Sequence, residues 1–109
     1  MEGFQRKYLR GLAHSLKPVS QIGRQGLTEE SVEAVRTALS DHELIKVSMH
    51  KPKDKKGMAA ELAQRTESEL CGLIGHTMIL YRAHPDEPVI RLPQRPAPQT
   101  EEADEADEG

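Results

Sequence analysis

The stretch Pro18-Val19-Ser20-Gln21-Ile22-Gly23-Arg24-Gln25-Gly26-Leu27-Thr28 decides how this chain folds. Val19 and Ile22 are apolar positions suited to a short extended segment. Gly23 and Gly26 bracket a tight turn and can take positive φ. Thr28 can accept from the amides of the next turn and so open a helix. Strand, glycine turn and capped helix in succession mark a β–α connection. Bare backbone at a helix N-terminus attracts phosphate, and Arg24 adds a cation. Two readings fit: a loop that touches a polyanion, or a connection that needs glycine only for its shape. Glu29 and Glu30 would repel a phosphate seated on the helix axis, so a polyanion is expected to pass on the Arg24 side.

Upstream, a helix is predicted from near Gly3 to Ala13. Phe4, Tyr8 and Leu12 recur every fourth residue with Leu9 and Ala13 beside them, which reads as one buried stripe. Arg6, Lys7 and Arg10 fall off that stripe and are expected to be solvated. Downstream, the helix from Thr28 to about His42 should bury Val32, Val35, Ala38 and Leu39. Leu44 to His50 alternates as a strand with Ile45, Val47 and Met49 inward. Lys51 to Gly57 reads as a charged loop of four lysines and one aspartate, which suits either plain solvation or binding. A third helix is predicted from about Met58 to Thr66. Leu70–Ile74 and Thr77–Arg82 form a hairpin around Gly75-His76, a pair suited to a II′ turn. Met78 to Tyr81 is apolar at every position, so that strand should be central and covered on both faces. Val89 to Leu92 is expected either to pack or to add an edge segment. The order α-β-α-β-α-β-β implies an α/β two-layer sandwich with a mixed four-stranded sheet.

A chain of 109 residues with 36% hydrophobic content fits one small domain. We place that domain at residues 1–93 and expect 94–109 to be an acidic, Pro-containing, disordered tail. Residues 96–109 carry six acids and no Lys or Arg, which leaves the body with 15 basic against 12 acidic residues. A basic body points to a polyanionic partner. Cys71 is alone, so no intrachain disulfide can form. The N-terminus lacks a signal-peptide apolar stretch, and no apolar run approaches membrane-spanning length. A soluble, cytoplasmic protein, monomeric when free and without a membrane partner, is the expectation.

Catalytic constellations are missing. His14, His42, His50, His76 and His84 show no metal-ligand spacing, and no phosphate-binding Gly-Lys-Ser/Thr loop or dinucleotide fingerprint is present. Cys71 reads as a small core residue. No metal, cofactor or small-molecule substrate is expected, and a binding module fits better than an enzyme. Because the core is expected to claim Phe4, Tyr8 and Tyr81, no base-stacking platform is predicted, and RNA would be held by phosphates, amides and shape.

Four blocks then resemble a known family in order and spacing: Leu9-Arg10-Gly11-Leu12-Ala13-His14-Ser15-Leu16-Lys17-Pro18-Val19, Ile22-Gly23-Arg24-Gln25-Gly26-Leu27-Thr28, His42-Glu43-Leu44-Ile45-Lys46-Val47 and Ile79-Leu80-Tyr81-Arg82. They resemble the CRM domain, the chloroplast RNA splicing and ribosome maturation module, and within it the stand-alone bacterial YhbY-type members. The resemblance covers roughly Lys7 to Leu92. It implies a fold like the C-terminal domain of translation initiation factor three and RNA binding during assembly of the large ribosomal subunit. It also implies that Gly23, Arg24, Gln25 and Gly26 belong to the RNA surface. Charge and helix face add Lys7, Arg10 and Lys17. Lys46 is counted with these candidates, although for Lys46 and Arg82 both RNA contact and a structural role at the sheet remain open. Lys51 to Gly57 departs from the family pattern, which leaves the start of the third helix open. The alternative function is a protein-interaction adaptor on pre-ribosomal particles with little direct RNA contact.

Overall fold

A computed structural model of the chain describes residues 1–94. Its elements are α1 (Gly3–Ala13), β1 (Pro18–Ile22), α2 (Glu29–Asp41), β2 (Leu44–Met49), α3 (Lys55–Arg65), β3 (Glu69–Ile74) and β4 (Thr77–Tyr81). This is the expected order, in an α/β fold with a mixed four-stranded sheet. The acidic tail expected from residue 94 onward lies, apart from Gln94, outside the described residues.

The strand order is β1-β2-β4-β3. β1 runs parallel to β2, with α2 as the crossover between them, while β2/β4 and β3/β4 are antiparallel. In this register Ile22 lies opposite Met49. The turn after β1 and the loop after β2 therefore leave the sheet at the same end. The His50 amide donates to the Ile22 carbonyl at 2.9 Å and ties the two together.

Alternation along the strands sorts side chains to two faces. Ile45, Val47, Met49, Met78 and Leu80 meet Val32, Val35 and Leu39 of α2 and Ala59 and Leu62 of α3. This is the expected sandwich. The other face is covered in part by α1: Leu9 and Ala13 pack on Leu44, Cys71, Ile79 and Tyr81, with Ile90 and Leu92 closing the edge. β4 is thus covered on both faces, as its unbroken apolar run requires. The segment 89–92 packs and does not add a strand.

Two expectations need correction, the buried stripe of α1 and the start of α3. The Phe4, Tyr8 and Leu12 row is not core: these residues are 37%, 43% and 41% exposed, while Leu9 and Ala13 beside them are fully buried. The apolar arc of α1 is wider than its contact with the sheet, and the smaller row takes the contact. Val19 is 50% exposed, at a register irregularity between Pro18 and Ser20. Finally, α3 begins at Lys55 and not at Met58, because the Asp54 carboxylate accepts the Gly57 amide at 3.0 Å and caps a helix whose first turn carries the lysines. α2 starts as expected, with Thr28 and Ser31 forming a reciprocal capping box. Gly75 takes φ +58 at the hairpin turn, as its first position demands.

Candidate nucleic-acid interface

At the shared end of β1 and β2, the turn Gly23–Gly26 faces the loop that follows His50. Together with the start of α3 they form a cleft of about 610 Å³, lined by Gly23, Arg24, Gln25, Gly26, His50, Lys51, Lys53 and Met58 among others. The turn closes through the Gly26 amide donating to the Gly23 carbonyl at 3.1 Å. Gly26 has φ +77, which an L side chain adopts only with strain. Gly23 does not use positive φ; a Cβ built there meets nothing within 4 Å, so the turn is open at this position. Lys51 takes φ +42, a left-handed conformation unusual for lysine, at the point where the loop leaves the strand. Such conformations persist where surrounding structure enforces them, and they concentrate at functional sites.

The cleft is electrostatically one-sided. Arg24 Nε donates to His50 Nε2 in a long contact of 3.4 Å. Among the described residues Arg24, Lys51 and Lys53 form no ion pair with a carboxylate. The two acids on the cleft wall are engaged: Asp54 caps α3, and Glu61 pairs with Arg65 at 3.4 Å. Glu29, at the start of α2, pairs with Arg65 at 3.0 Å. An open cleft with a guanidinium and two ammonium groups can hold a passing phosphate backbone.

The structure gathers Gly23, Arg24, Gln25 and Gly26 but disperses the other candidates. Lys17 is exposed just before β1, at the opposite end of that strand. Lys7 is exposed on the outer side of α1. Lys46 is half-buried, its Nζ donating to the His14 carbonyl at 3.3 Å. Arg10 is not the solvated cation expected. It lies across β3, donating to the Cys71 carbonyl at 2.8 Å, and a Cβ on Gly72 would come within 2.6 Å of its Cδ. Glycine at 72 is what admits the arginine. Arg82 also proves structural: it donates to Thr66 O at 2.9 Å, Ser40 Oγ at 3.3 Å and Arg36 O at 3.4 Å. His50 is the cleft residue absent from the candidates drawn from the sequence, while Lys51 and Lys53 lie in the loop whose lysines suit either solvation or binding. The signal was available, since a β–α–β unit pairs its strands in parallel and brings both strand-end loops together.

Glu43 is a further residue whose role the sequence did not single out. It is 4% exposed, and its carboxylate accepts from the amides of His84, Val89 and Ile90 at 2.8, 3.0 and 2.6 Å. Burial pushes its pKa up, but the three amides outweigh burial and hold it below the ordinary value of 4.5. It anchors the segment leading to Leu92 over the smaller core. Cys71 is buried, as expected, and burial raises its thiol to about 11, so it is no ready nucleophile. Among the described residues no group of three or more His, Cys, Asp or Glu side chains is placed to hold a metal ion, and no helix is long and apolar enough to cross a membrane.

The chain is 35% identical over 95 residues to the probable RNA-binding protein YqeI of Bacillus subtilis, covering 85% of this chain and 99% of that one. It is 37% identical over 93 residues to an RNA-binding protein of Haemophilus influenzae, covering 84% and 93%. The solution structure of the Staphylococcus aureus protein SAV1595 is 38% identical and superposes with a TM-score of 0.76 over 85% of this chain and 99% of that one. Residues 1–82 match the CRS1 / YhbY (CRM) domain, and the chain belongs to that family.

Proposed function

We propose that the chain is a non-catalytic, cytoplasmic RNA-binding protein that holds large-subunit ribosomal RNA during ribosome assembly, acting as a monomer when free. The observation that carries this reading is the meeting of the Gly23–Gly26 turn and the lysine loop in one cleft, where Arg24, Lys51 and Lys53 form no ion pair among the described residues. The relatives support RNA as the partner, and the family resemblance supplies the ribosomal setting. Contact is through the RNA backbone: the turn leaves room for close approach at Gly23, and the cations neutralise phosphates. Both carboxylates at the start of α2 keep the backbone beside the helix axis and off it. Lys17 extends the basic surface along β1, and Lys7 extends it onto α1. Arg10 and Lys46, already bonded to backbone carbonyls, are left out of the contact set. Residues 1–93 make up the RNA-binding unit, and 94–109 is a separate acidic tail.

Filter binding to large-subunit ribosomal RNA fragments tests this. Arg24→Gln with Lys51→Gln and Lys53→Gln should weaken binding and flatten the slope of log affinity against log salt by about 2, since each lost phosphate contact removes about 0.7 to 0.9. An unchanged slope in a folded triple variant removes the cleft from the RNA surface.

A further inference from the structure

We infer that His50 is a phosphate ligand of the cleft and takes up a proton from solvent as RNA binds; this deepens the RNA-binding reading above and rests on it. The residue stands where β1 and β2 leave the sheet, its amide donating to the Ile22 carbonyl at 2.9 Å. It is half-buried, next to exposed Arg24 and Lys51. These three residues line a hollow of about 240 Å³, and all three line the larger cleft as well. Arg24 and Lys51 carry standing charge, whereas histidine is the side chain that changes charge between pH 5 and 8. Two fixed cations and a third that can be switched on suit the phosphodiester of an RNA strand.

The contact with Arg24 fixes the form of the ring. Arg24 Nε donates to His50 Nε2 at 3.4 Å, and only a neutral imidazole has a ring nitrogen that can accept. Its hydrogen is then on Nδ1. The contact is long and exposed, so little is lost by opening it. A phosphate oxygen between the two groups accepts from the guanidinium and asks Nε2 to become a donor. A tautomer shift and protonation both put a hydrogen there, but the imidazolium bond to phosphate is charge-assisted and stronger. The surrounding charges favour the same outcome. The turn after β1 brings Arg24, the loop after β2 brings Lys51 and Lys53, and α3 brings Asp54 and Glu61. Both acids are engaged, Asp54 with the Gly57 amide and Glu61 with Arg65. At the β3–β4 turn, His76 gives its carbonyl to the Met49 amide at 2.7 Å, and Lys55 donates to the Gly75 carbonyl at 3.0 Å. In this cationic setting a polyanion is the partner that makes one more cation favourable. The complex thus holds one proton more than its separated parts, so affinity rises as pH falls.

Filter binding of the full chain to large-subunit ribosomal RNA fragments at pH 8 and pH 6, each across a salt series, tests the assignment. Glu43 stays ionised over this range, so its anchoring role is constant. The wild type should bind at least about 5-fold more tightly at pH 6. Its salt slope there should be steeper by about 0.7 to 0.9, the mark of one further phosphate contact. His50→Gln still accepts from Arg24 but gains no charge. It should bind as the wild type at pH 8 and lose both gains at pH 6. His50→Arg, charged at either value, should show the steeper slope throughout. Comparing variants on one RNA cancels titration of the RNA itself and of the other four histidines. A ring that only steadies Arg24 predicts no effect of His50→Gln at either pH. That result, or a pH gain that persists in His50→Gln, overturns the proposal. So does a pH gain with an unchanged salt slope, which would place the imidazolium on a base. If pH has no effect on the wild type while Arg24→Gln/Lys51→Gln/Lys53→Gln still flattens the slope, only the His50 assignment fails. If the triple variant keeps the wild-type slope, the cleft reading and this assignment fail together.

Discussion

Charged residues behave in opposite ways at the two ends of the sheet. Where β2 begins and β4 ends, Glu43 is buried under three backbone amides and Arg82 reaches two oxygens on α2 and one at the C-terminal cap of α3. Where β1 and β2 end, Arg24, Lys51 and Lys53 line an open cleft and have no acid partner among the described residues. One end uses charge to hold the chain together and the other leaves it available. Charge alone therefore says little about which cations are free to take a partner; what matters is whether internal acceptors already occupy them. The comparison makes a clear demand on mutants: changes at the first end should cost stability, and changes at the second should cost binding.

The largest stability loss should follow Glu43→Ala, about 3 kcal/mol by denaturant unfolding, because three amides lose a charged acceptor. The same carboxylate sets an acid limit. Its folded pKa lies below 4.5, so its contribution is fully present above that value and is lost as pH falls through the lower, folded one. Unfolding followed from pH 6 to pH 2 should show this decline in the wild type and not in Glu43→Gln. Arg82→Ala comes next, at about 2 kcal/mol, by freeing the buried end of α3 at Thr66 from its partner. A binding defect without a stability defect at either residue would break the comparison.

Glycine supplies the next step down. Gly26→Ala should cost about 1 kcal/mol from its left-handed backbone alone, since the added Cβ would make only an ordinary 3.8 Å contact with Met58 Cε. Gly23→Ala should leave stability unchanged. Any loss of RNA affinity in Gly23→Ala would therefore report on blocked approach to the turn, which sharpens the view of Gly23 as open backbone. Lys51→Asn should move the two readouts in opposite directions. Asparagine tolerates φ +42 better than lysine, so stability should hold or rise by a few tenths of a kcal/mol while RNA binding weakens.

Much of this was legible in the residues. Element order followed from periodicity, the α2 start from Thr28, and the central place of β4 from four successive apolar residues. The α1 error has a physical reason. Phe4, Tyr8 and Leu12 share an apolar arc with Leu9 and Ala13, and periodicity gives the arc without saying which edge of it meets the sheet. Arg10 chose that edge by lying across Gly72, a contact between residues far apart in sequence. The α3 start was hidden because Asp54 stood in a lysine run that looked like loop. Half of the candidate site was legible as Gly23–Gly26. The other half lay in Lys51 and Lys53, and required the parallel pairing of β1 with β2 to be drawn to its consequence. Arg82 and Glu43 could not be assigned from sequence, since their roles depend on carbonyls and amides that only the fold brings near.

Arg24→Gln/Lys51→Gln/Lys53→Gln is the substitution set on which the division of charge rests most heavily. Its unfolding free energy should stay within about 0.5 kcal/mol of the wild type, as for surface changes without internal partners. Its binding to large-subunit ribosomal RNA, titrated across salt concentrations, should be weaker and have a slope flatter by about 2. A triple variant that folds normally and binds with the wild-type slope would contradict the account.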